Sequence, residues 1–261
     1  METSEEWTVE RAADVLLAAE ESGDLIAPLT HEWPTVDLET AYAVQDETLR
    51  RRMARGEQRV GVKLGLTSRA KQQRMGASSP LTAWLTDAMV LPSGADLPRH
   101  RLTHPVAEPE IVFVLGARLA GPGVTAATAL AAVSAVFCGM EIMGSRYHDF
   151  PFALPDVVAD NASSGFFLTG PVAASPSALN LGLEACLLEV NGQVVDSATG
   201  AAVYGHPAEA LAWAANDLGR RGHALEPGWI VLTGGMTDAV PCDAGTVISV
   251  HFTTLGSLYL N

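Results

Sequence analysis

Cysteine is scarce in this sequence of 261 residues: Cys138, Cys186 and Cys242 stand far apart and form no CxxC pair. An odd number of dispersed cysteines supports neither a disulfide framework nor a zinc knuckle, so we expect a reduced, cytoplasmic setting. The opening stretch METSEEWTVERAAD is acidic, whereas a signal peptide is basic and then apolar. No targeting segment is therefore predicted.

Basic residues are also few, since 16 lysines and arginines stand against 30 acidic residues and give a formal net charge of −14. This excess of negative charge argues against nucleic acid or an anionic membrane as the main partner, while a local basic pocket for an anionic substrate remains compatible with it. Charged residues are absent from Leu119 to Met140, but Gly121-Pro122-Gly123 and many alanines interrupt that run. It predicts a turn, a buried helix capped by Thr125 and a buried strand, not a membrane span.

Helical patterns come first along the chain and extended patterns follow. Apolar positions at helical spacing predict one packing helix that begins near Val9 and is ended by Gly23, and another from Leu38 to Arg55. After Gly165 most apolar runs are short and bounded by turn residues, which is typical of strands. This order predicts an α+β fold with a curled or barrel-like sheet.

Three glutamates stand at the edges of apolar runs. Glu108 and Glu110 open one run and, two apart in a strand, point to the same side of it; Glu141 closes another. A buried charge must be paired or bound to a metal, and oxygen-only ligands favour Mg²⁺ or Mn²⁺ over Zn²⁺. The candidates are a divalent metal site and a structural network that uses Arg146 and Lys63.

Two lysines follow in one short region. Lys63 lies between two glycines, which allow a backbone or ligand to come close; it is either a functional lysine or an ordinary exposed one. Ser68-Arg69-Ala70-Lys71 matches the S-x-x-K of serine acylases, but the S-D-N and K-T-G partners of that motif are absent. Ser68 is therefore predicted to cap a short helix.

Polar residues also gather in the segment from Arg146 to Gly165. The loop from Asp160 to Gly165 offers hydroxyl, amide and carboxylate groups, which either hold a ligand or cap the backbone. His148 is a candidate catalytic residue for acid-base work together with Asp149, and a structural histidine is the alternative.

Several motifs carry a resemblance over nearly the whole chain: GVKLGLTSRAK, HPVAEPEIVFVL, GPGVT, MEIMGSRYHDFPF, DVVADNASSG, GHPAEALAWAAN and VLTGGMTDAV. They resemble the 2-keto-4-pentenoate hydratase and 4-oxalocrotonate decarboxylase family of the fumarylacetoacetate hydrolase superfamily. The resemblance implies a fumarylacetoacetate-hydrolase-like mixed β-barrel or β-roll. It divides the chain into an N-terminal helical region, residues 1–58, and a catalytic domain, residues 59–261.

The same resemblance implies the site residues. Mg²⁺ or Mn²⁺ is expected on Glu108, Glu110 and Glu141. Lys63 is expected to bind or protonate a developing enolate oxygen, and Ser163 to help hold the substrate carboxylate. The remaining candidates for substrate binding are Arg146, Asn161, Ser164 and Thr233.

The implied reaction is decarboxylation of a vinylogous 2-oxo diacid, of the 2-oxohex-3-enedioate type, through a metal-stabilised dienolate in aromatic catabolism. The stretch SRYHDFPFALPDVVADNASS and the T-G-G that begins at Thr233 look more like the decarboxylase branch. Hydration of 2-hydroxypenta-2,4-dienoate is the alternative.

One position departs from the family pattern, because Gly144 stands where an aspartate is usual, and an acid that orients a ligand is missing. A biosynthetic relative acting on another 2-oxo or β-dicarbonyl substrate therefore stays open. So does a non-catalytic scaffold partner in a complex with a paired hydratase. The resemblance implies a homo-oligomer.

Overall fold

The chain is described by a computed structural model over residues 6–148 and 152–261, so Asp149 lies outside the described residues. The helices are α1 (Val9–Ser22), α2 (Leu29–Glu32), α3 (Leu38–Ala54), α4 (Arg69–Met75), α5 (Ala126–Ala131), α6 (Leu154–Ala159) and α7 (Pro207–Arg220). The strands are β1 (Arg59–Gly65), β2 (Leu81–Thr86), β3 (Val106–Leu115), β4 (Val133–Met143), β5 (Ser164–Thr169), β6 (Ala185–Val190), β7 (Gln193–Thr199), β8 (Ile230–Leu232), β9 (Val240–Pro241), β10 (Ile248–Phe252) and β11 (Gly256–Leu260). The predicted α+β class is confirmed.

Two sheets form the body of the molecule. The seven-stranded sheet has the order β2-β1-β8-β3-β4-β5, with β9 paired to β3, and the four-stranded sheet has the order β11-β10-β6-β7. In the larger sheet β1 and β8 run parallel, while β3 and β4 form a long antiparallel pair. Because β3 and β4 are interior strands with neighbours on both sides, their side chains lie at the centre of the fold.

The N-terminal helices begin and end at clear capping residues. The side chains of Thr8 and Asp37 cap α1 and α3, and Gly23, with φ of 75°, ends α1 in the left-handed conformation that glycine adopts easily. Gly23 ends α1 as predicted, and α3 ends one residue before the predicted Arg55. The division into residues 1–58 and residues 59–261 stays a prediction.

The uncharged stretch from Leu119 to Met140 folds as a turn, a helix and a strand, as predicted, but the prediction of a buried helix is wrong, because only Ala129 of α5 is buried. Thr125 caps α5 in a capping box with Thr128, and the chain then enters β4, where Val136 and Met140 are fully buried. No helix within the described residues combines the length and the apolar character that a membrane crossing requires.

Candidate active site

Three buried glutamates lie on the antiparallel pair β3 and β4. Glu108 is the direct cross-strand partner of Glu141, and Glu110 lies opposite Gly139. Facing residues in such a pair have Cβ atoms about 4.5–5.5 Å apart and point to the same face of the sheet. All three side chains are buried. They therefore form one cluster of negative charge, which we call the acid cluster.

Pro109 lies between two members of the acid cluster, in the interior of a sheet, where proline is unusual. Its carbonyl accepts a hydrogen bond from the Met236 N–H at 2.9 Å. The N–H and C=O of a strand residue point to the same side, so the missing donor of Pro109 faces the segment after β8 and not β4. The proline therefore leaves the ladder between β3 and β4 intact.

The Gly234-Gly235 turn after β8 lies directly against the acid cluster. The Gly234 N–H donates to Glu110 Oε2 at 2.6 Å. A Cβ atom on Gly235 would lie 1.5 Å from Glu108 Oε2. This close approach requires glycine, because any side chain would occupy the space of the carboxylate.

Two lysines from different elements contact the acid cluster. Lys63 of β1 places its Nζ 2.6 Å from Glu141 Oε1 and donates to the Ala162 carbonyl at 2.6 Å. Lys71 of α4 places its Nζ 2.8 Å from Glu108 Oε2. Of the two cations in the alternative network, Lys63 pairs with Glu141 and not with Glu108 or Glu110, and Arg146 contacts no member of the acid cluster in the described ion pairs.

The acid cluster carries more negative charge than its surroundings neutralise. Three carboxylates and two ammonium groups leave a formal charge of about −1 when all are ionised. Burial raises the pKa of Glu108, and burial followed by the charge of Glu141 raises the pKa of Glu110 well above its ordinary value. Glu110 Oε1 is buried and has no hydrogen-bond partner among the described residues. Such an oxygen is available to a cation.

A left-handed turn after α6 completes the site. Asn161, Ala162 and Ser163 have φ of 49°, 52° and 56°, a conformation that costs a non-glycine residue roughly 1–2 kcal/mol. The Asn161 side chain holds the turn by accepting from the Trp84 N–H at 2.8 Å and donating to the Trp84 carbonyl at 2.9 Å. The turn directs the Ala162 carbonyl to Lys63 and places Ser163 at the cavity.

The Arg146 guanidinium braces this turn from inside the protein. It forms an ion pair with the Asp160 carboxylate and donates to the carbonyls of Gly144 and Ser164, both at 3.0 Å. Asp160 also accepts from the Ser163 hydroxyl at 3.1 Å. Burial raises the pKa of Asp160 to about 6, against the lowering effect of Arg146. The buried pair therefore fixes both ends of the turn.

A cavity of about 370 Å³ lies over the acid cluster. Its polar lining includes Lys63, Lys71, His104, Glu108, Glu141 and Ser163. Its apolar wall includes Leu66, Met75, Leu81, Val106, Met143 and Phe152. A ligand in this cavity meets charged groups on one side and an apolar surface on the other.

The predicted site residues divide into two groups. Those that line the cavity are Lys63, Glu108, Glu141 and Ser163, and Glu110 lies beside them. Those outside the lining are Arg146, His148, Asn161, Ser164 and Thr233. The hydroxyls of Ser164 and Thr233 donate to backbone carbonyls at 2.6 and 2.7 Å, and His148 is exposed. The roles assigned to both groups stay predictions.

Lys71 is a site residue that the sequence pattern does not identify. Ser68 caps α4 as predicted, since its hydroxyl accepts from the Lys71 N–H at 3.2 Å. The cap turns the chain back after β1, and this turn brings Lys71 to the acid cluster. The sequence offered one indication of this role: Lys71 follows Lys63 by eight residues, on a helix that comes directly after the same strand.

The acid cluster fits a hard divalent cation in its chemistry. It offers carboxylate oxygens only, and one buried oxygen of Glu110 lacks a partner. Across the described ranges, no three histidine, cysteine or acidic side chains are gathered as a preformed metal cluster. Glu108 and Glu141 instead turn toward lysines. A bound cation would compete with Lys63 for the Glu141 carboxylate and with Lys71 for the Glu108 carboxylate.

The chain is similar to known proteins over most of its length. The family model described as fumarylacetoacetate hydrolase, C-terminal, matches residues 58–260. The 4-oxalocrotonate decarboxylase of Pseudomonas sp. strain CF600 is 42% identical over 233 residues, which cover 89% of this chain and 88% of that protein. The 2-hydroxyhexa-2,4-dienoate hydratase of Comamonas testosteroni is 40% identical over 244 residues, which cover 93% of this chain and 92% of that protein.

A solved structure has nearly the same fold. The 4-oxalocrotonate decarboxylase from Pseudomonas putida G7, complexed with magnesium and adipate, superposes with a TM-score of 0.95 at 40% identity. The match covers 97% of this chain and 96% of that one. Adipate is a saturated six-carbon diacid, so that relative accommodates a ligand with a carboxylate at each end.

Proposed function

The chain belongs to the fumarylacetoacetate hydrolase family and is a lyase, and on that premise we propose that it decarboxylates a vinylogous 2-oxo diacid of the 2-oxohex-3-enedioate type. The observation that carries this proposal is the cavity in which the ammonium groups of Lys63 and Lys71 both stand beside an acid cluster. A diacid has two anionic ends, and this cavity offers a cation to each. The adipate complex of the relative from Pseudomonas putida G7 supports the same substrate length.

We assign Glu108, Glu110 and Glu141 to a divalent cation, Mg²⁺ or Mn²⁺. Their support is the oxygen-only donor set, the raised pKa values of Glu108 and Glu110, and the buried oxygen of Glu110 that lacks a partner. When bound, such a cation supplies a Lewis acid that polarises the C2 carbonyl of a 2-oxo acid.

Lys63 is assigned to the oxygen that becomes negative during the reaction. As the bond between C5 and C6 breaks, C6 leaves as CO₂, and the bonding electrons pass through C4 and C3 to the C2 oxygen. Lys63 donates a hydrogen bond or a proton to that oxygen, which gives 2-hydroxypenta-2,4-dienoate. Glu141 and the Ala162 carbonyl hold the ammonium in place, so little reorganisation is needed at this step.

Ser163 is assigned to the C1 carboxylate of the substrate. Its side chain lines the cavity beside the carbonyl that holds Lys63, and the left-handed turn fixes both groups together. The oxo acid end therefore lies against Lys63 and Ser163, and the hydrocarbon part lies along the apolar wall.

Hydration of 2-hydroxypenta-2,4-dienoate is the second candidate, because the hydratase from Comamonas testosteroni is nearly as similar as the decarboxylases. That substrate has one carboxylate and leaves the second lysine without an anion to bind. We therefore place decarboxylation first. Cytoplasmic location, homo-oligomer formation and a complex with a paired hydratase stay predictions.

Ultraviolet absorbance tests this assignment. Purified protein receives 2-oxohex-3-enedioate or 2-hydroxypenta-2,4-dienoate, each with Mg²⁺ and with chelator, while CO₂ is measured in parallel. Metal-dependent loss of the diacid with equimolar CO₂ supports the decarboxylase. Consumption of the dienoate alone makes the protein a hydratase, and decay of neither directs the search to other 2-oxo or β-dicarbonyl compounds.

A further inference from the structure

Helix α4 forms one wall of the cavity and is held almost entirely by polar contacts. None of its residues is buried. Ser68 caps its first turn, Gly76 ends it with φ of 61°, and the Gln72 side chain donates to the Leu66 carbonyl at 2.9 Å. The side chains of α4 that face inward therefore meet the cavity and not the apolar core.

Lys71 is the charged residue that α4 presents to the cavity. Its Nζ contacts Glu108 Oε2 at 2.8 Å and donates to the Thr237 carbonyl at 3.2 Å. An ammonium has three donors, and these contacts use two of them. The Lys71 side chain is 17% exposed, whereas that of Lys63 is 2% exposed. Lys71 is thus the lysine that a ligand reaches more easily.

The cavity has few other cations for an anionic ligand. Among the described residues that line it, the basic ones are Lys63, Lys71 and His104. Placing an unpaired carboxylate against the apolar wall would be costly, so a ligand with two carboxylates requires a cation for each. Lys63 is buried and engaged by Glu141 and a backbone carbonyl, and His104 is exposed to solvent, which leaves the partly buried Lys71 for the second carboxylate.

We propose that Lys71 binds the second carboxylate of the substrate and makes this cavity selective for dicarboxylates over monocarboxylates of the same chain length. The inference rests on the proposed function, which assigns the oxo acid end to Lys63 and Ser163. Glu108 holds Lys71 at the cavity before the ligand arrives. Once CO₂ has left, Lys71 has no anionic ligand and returns to Glu108, which favours release of the monoacid product.

Isothermal titration calorimetry with adipate and hexanoate, at saturating Mg²⁺, tests the subsite. Both ligands have six carbons, and they differ by one carboxylate. The wild-type protein should bind adipate more tightly. Lys71→Met should weaken adipate binding roughly tenfold to a hundredfold, because a hydrogen bond to a charged group is lost, and should leave hexanoate binding unchanged. Lys71→Arg keeps the charge and should keep most of the preference.

Arg74→Met is the matched control. Arg74 is on the same helix and pairs with Asp238 at 2.9 Å, but it is exposed and does not line the cavity. Its loss should leave both affinities unchanged. Thermal unfolding and a Mg²⁺ titration accompany each variant, and Lys71→Met should fold and bind Mg²⁺ at least as tightly as the wild type.

Three results would overturn the inference: equal binding of adipate and hexanoate by the wild type, an adipate preference that survives in Lys71→Met, or loss of Mg²⁺ binding in that variant. The third would mean that Lys71 acts through the acid cluster and not on the ligand. A Lys71-dependent adipate preference in a protein that releases no CO₂ would remove the proposed reaction and leave the subsite standing. CO₂ release without a Lys71-dependent adipate preference would support the proposed reaction and remove the subsite.

Discussion

Glu108 and Glu141 face each other directly across β3 and β4, and each carboxylate contacts a lysine from a different element. Like charges in directly opposite positions destabilise a sheet. Lys63 and Lys71 offset this repulsion, while Glu110 has only the Gly234 N–H as a described hydrogen-bond partner. The site therefore holds a destabilising arrangement at the centre of its sheet, which is common where function and stability compete.

Glu110→Gln should weaken metal binding without lowering the stability of the metal-free protein. The change removes a buried charge and keeps the size of the side chain. We expect the metal-free protein to be as stable as the wild type or more stable, by roughly 1–3 kcal/mol, and Mg²⁺ binding to weaken at least tenfold. Urea unfolding with and without Mg²⁺ measures both effects. Glu209→Gln, at an exposed position of α7, should change neither. A variant that keeps full Mg²⁺ affinity would remove Glu110 from the metal site.

The stability of the metal-free protein should depend on pH through Glu110. Folding raises its pKa above 4.5, so the folded state holds this proton more tightly than the unfolded state. That stabilisation is complete below about pH 4.5 and is lost as the pH rises through the folded-state pKa. The free energy of unfolding of chelator-treated protein should therefore fall as the pH rises from about 4.5, and fall less in Glu110→Gln. Identical slopes for the two proteins would assign the effect to another group.

Gly235→Ala should displace Glu108. The added Cβ would lie 1.5 Å from Glu108 Oε2, so the carboxylate has to move away. We expect Mg²⁺ affinity and activity to fall together by at least tenfold. Gly182→Ala is the control, because its Cβ would meet its nearest neighbour at an ordinary 3.5 Å. Unchanged Mg²⁺ binding in Gly235→Ala would show that the acid cluster tolerates a different position of Glu108.

Arg146→Met should show whether Arg146 stabilises the left-handed turn or binds the substrate. Removing one partner of a buried ion pair costs about 3–5 kcal/mol, and the left-handed turn loses its brace. If Arg146 acts through the turn, the free energy of unfolding and kcat fall in this variant while KM changes little. If it binds substrate as the sequence predicts, KM rises most. Arg118→Met breaks an exposed pair with Glu226 and should cost less than about 1 kcal/mol.

Much of the fold follows from local patterns in the sequence. The helical spacing of α1 and α3, the cap of α5 at Thr125 and the alternation that puts Glu108 and Glu110 on one face of β3 each depend on residues that are close together in the sequence. β2 was harder to predict, because all six of its residues are buried and the period-two alternation of a half-buried strand is absent. Its burial comes from β1 on one side and from helices packed over it.

The site was predicted less completely than the fold. The acids were identified because they interrupt apolar runs, but their partners depend on contacts between distant segments. Lys71 reaches Glu108 across 37 positions, and Arg146 meets Asp160 inside the protein. The left-handed backbone of Asn161 to Ser163 has no glycine to mark it. Such features arise only when several elements meet.

Little space is left for a side chain at position 144. A Cβ there would lie 3.1 Å from the Leu102 side chain and 3.2 Å from the Thr103 carbonyl. The segment before β3 therefore occupies the space into which the aspartate expected from the family would extend. An aspartate at this position requires Leu102 to move.

The two lysines beside the acid cluster also bear on how the protein is made. They act as internal counter-ions, so the chain can reach its folded state before it encounters any metal. On the proposed metal assignment, folding and metal loading are then separate events. Chain that has lost the ion would keep its fold, so returning the ion would be enough to restore the proposed activity without new synthesis.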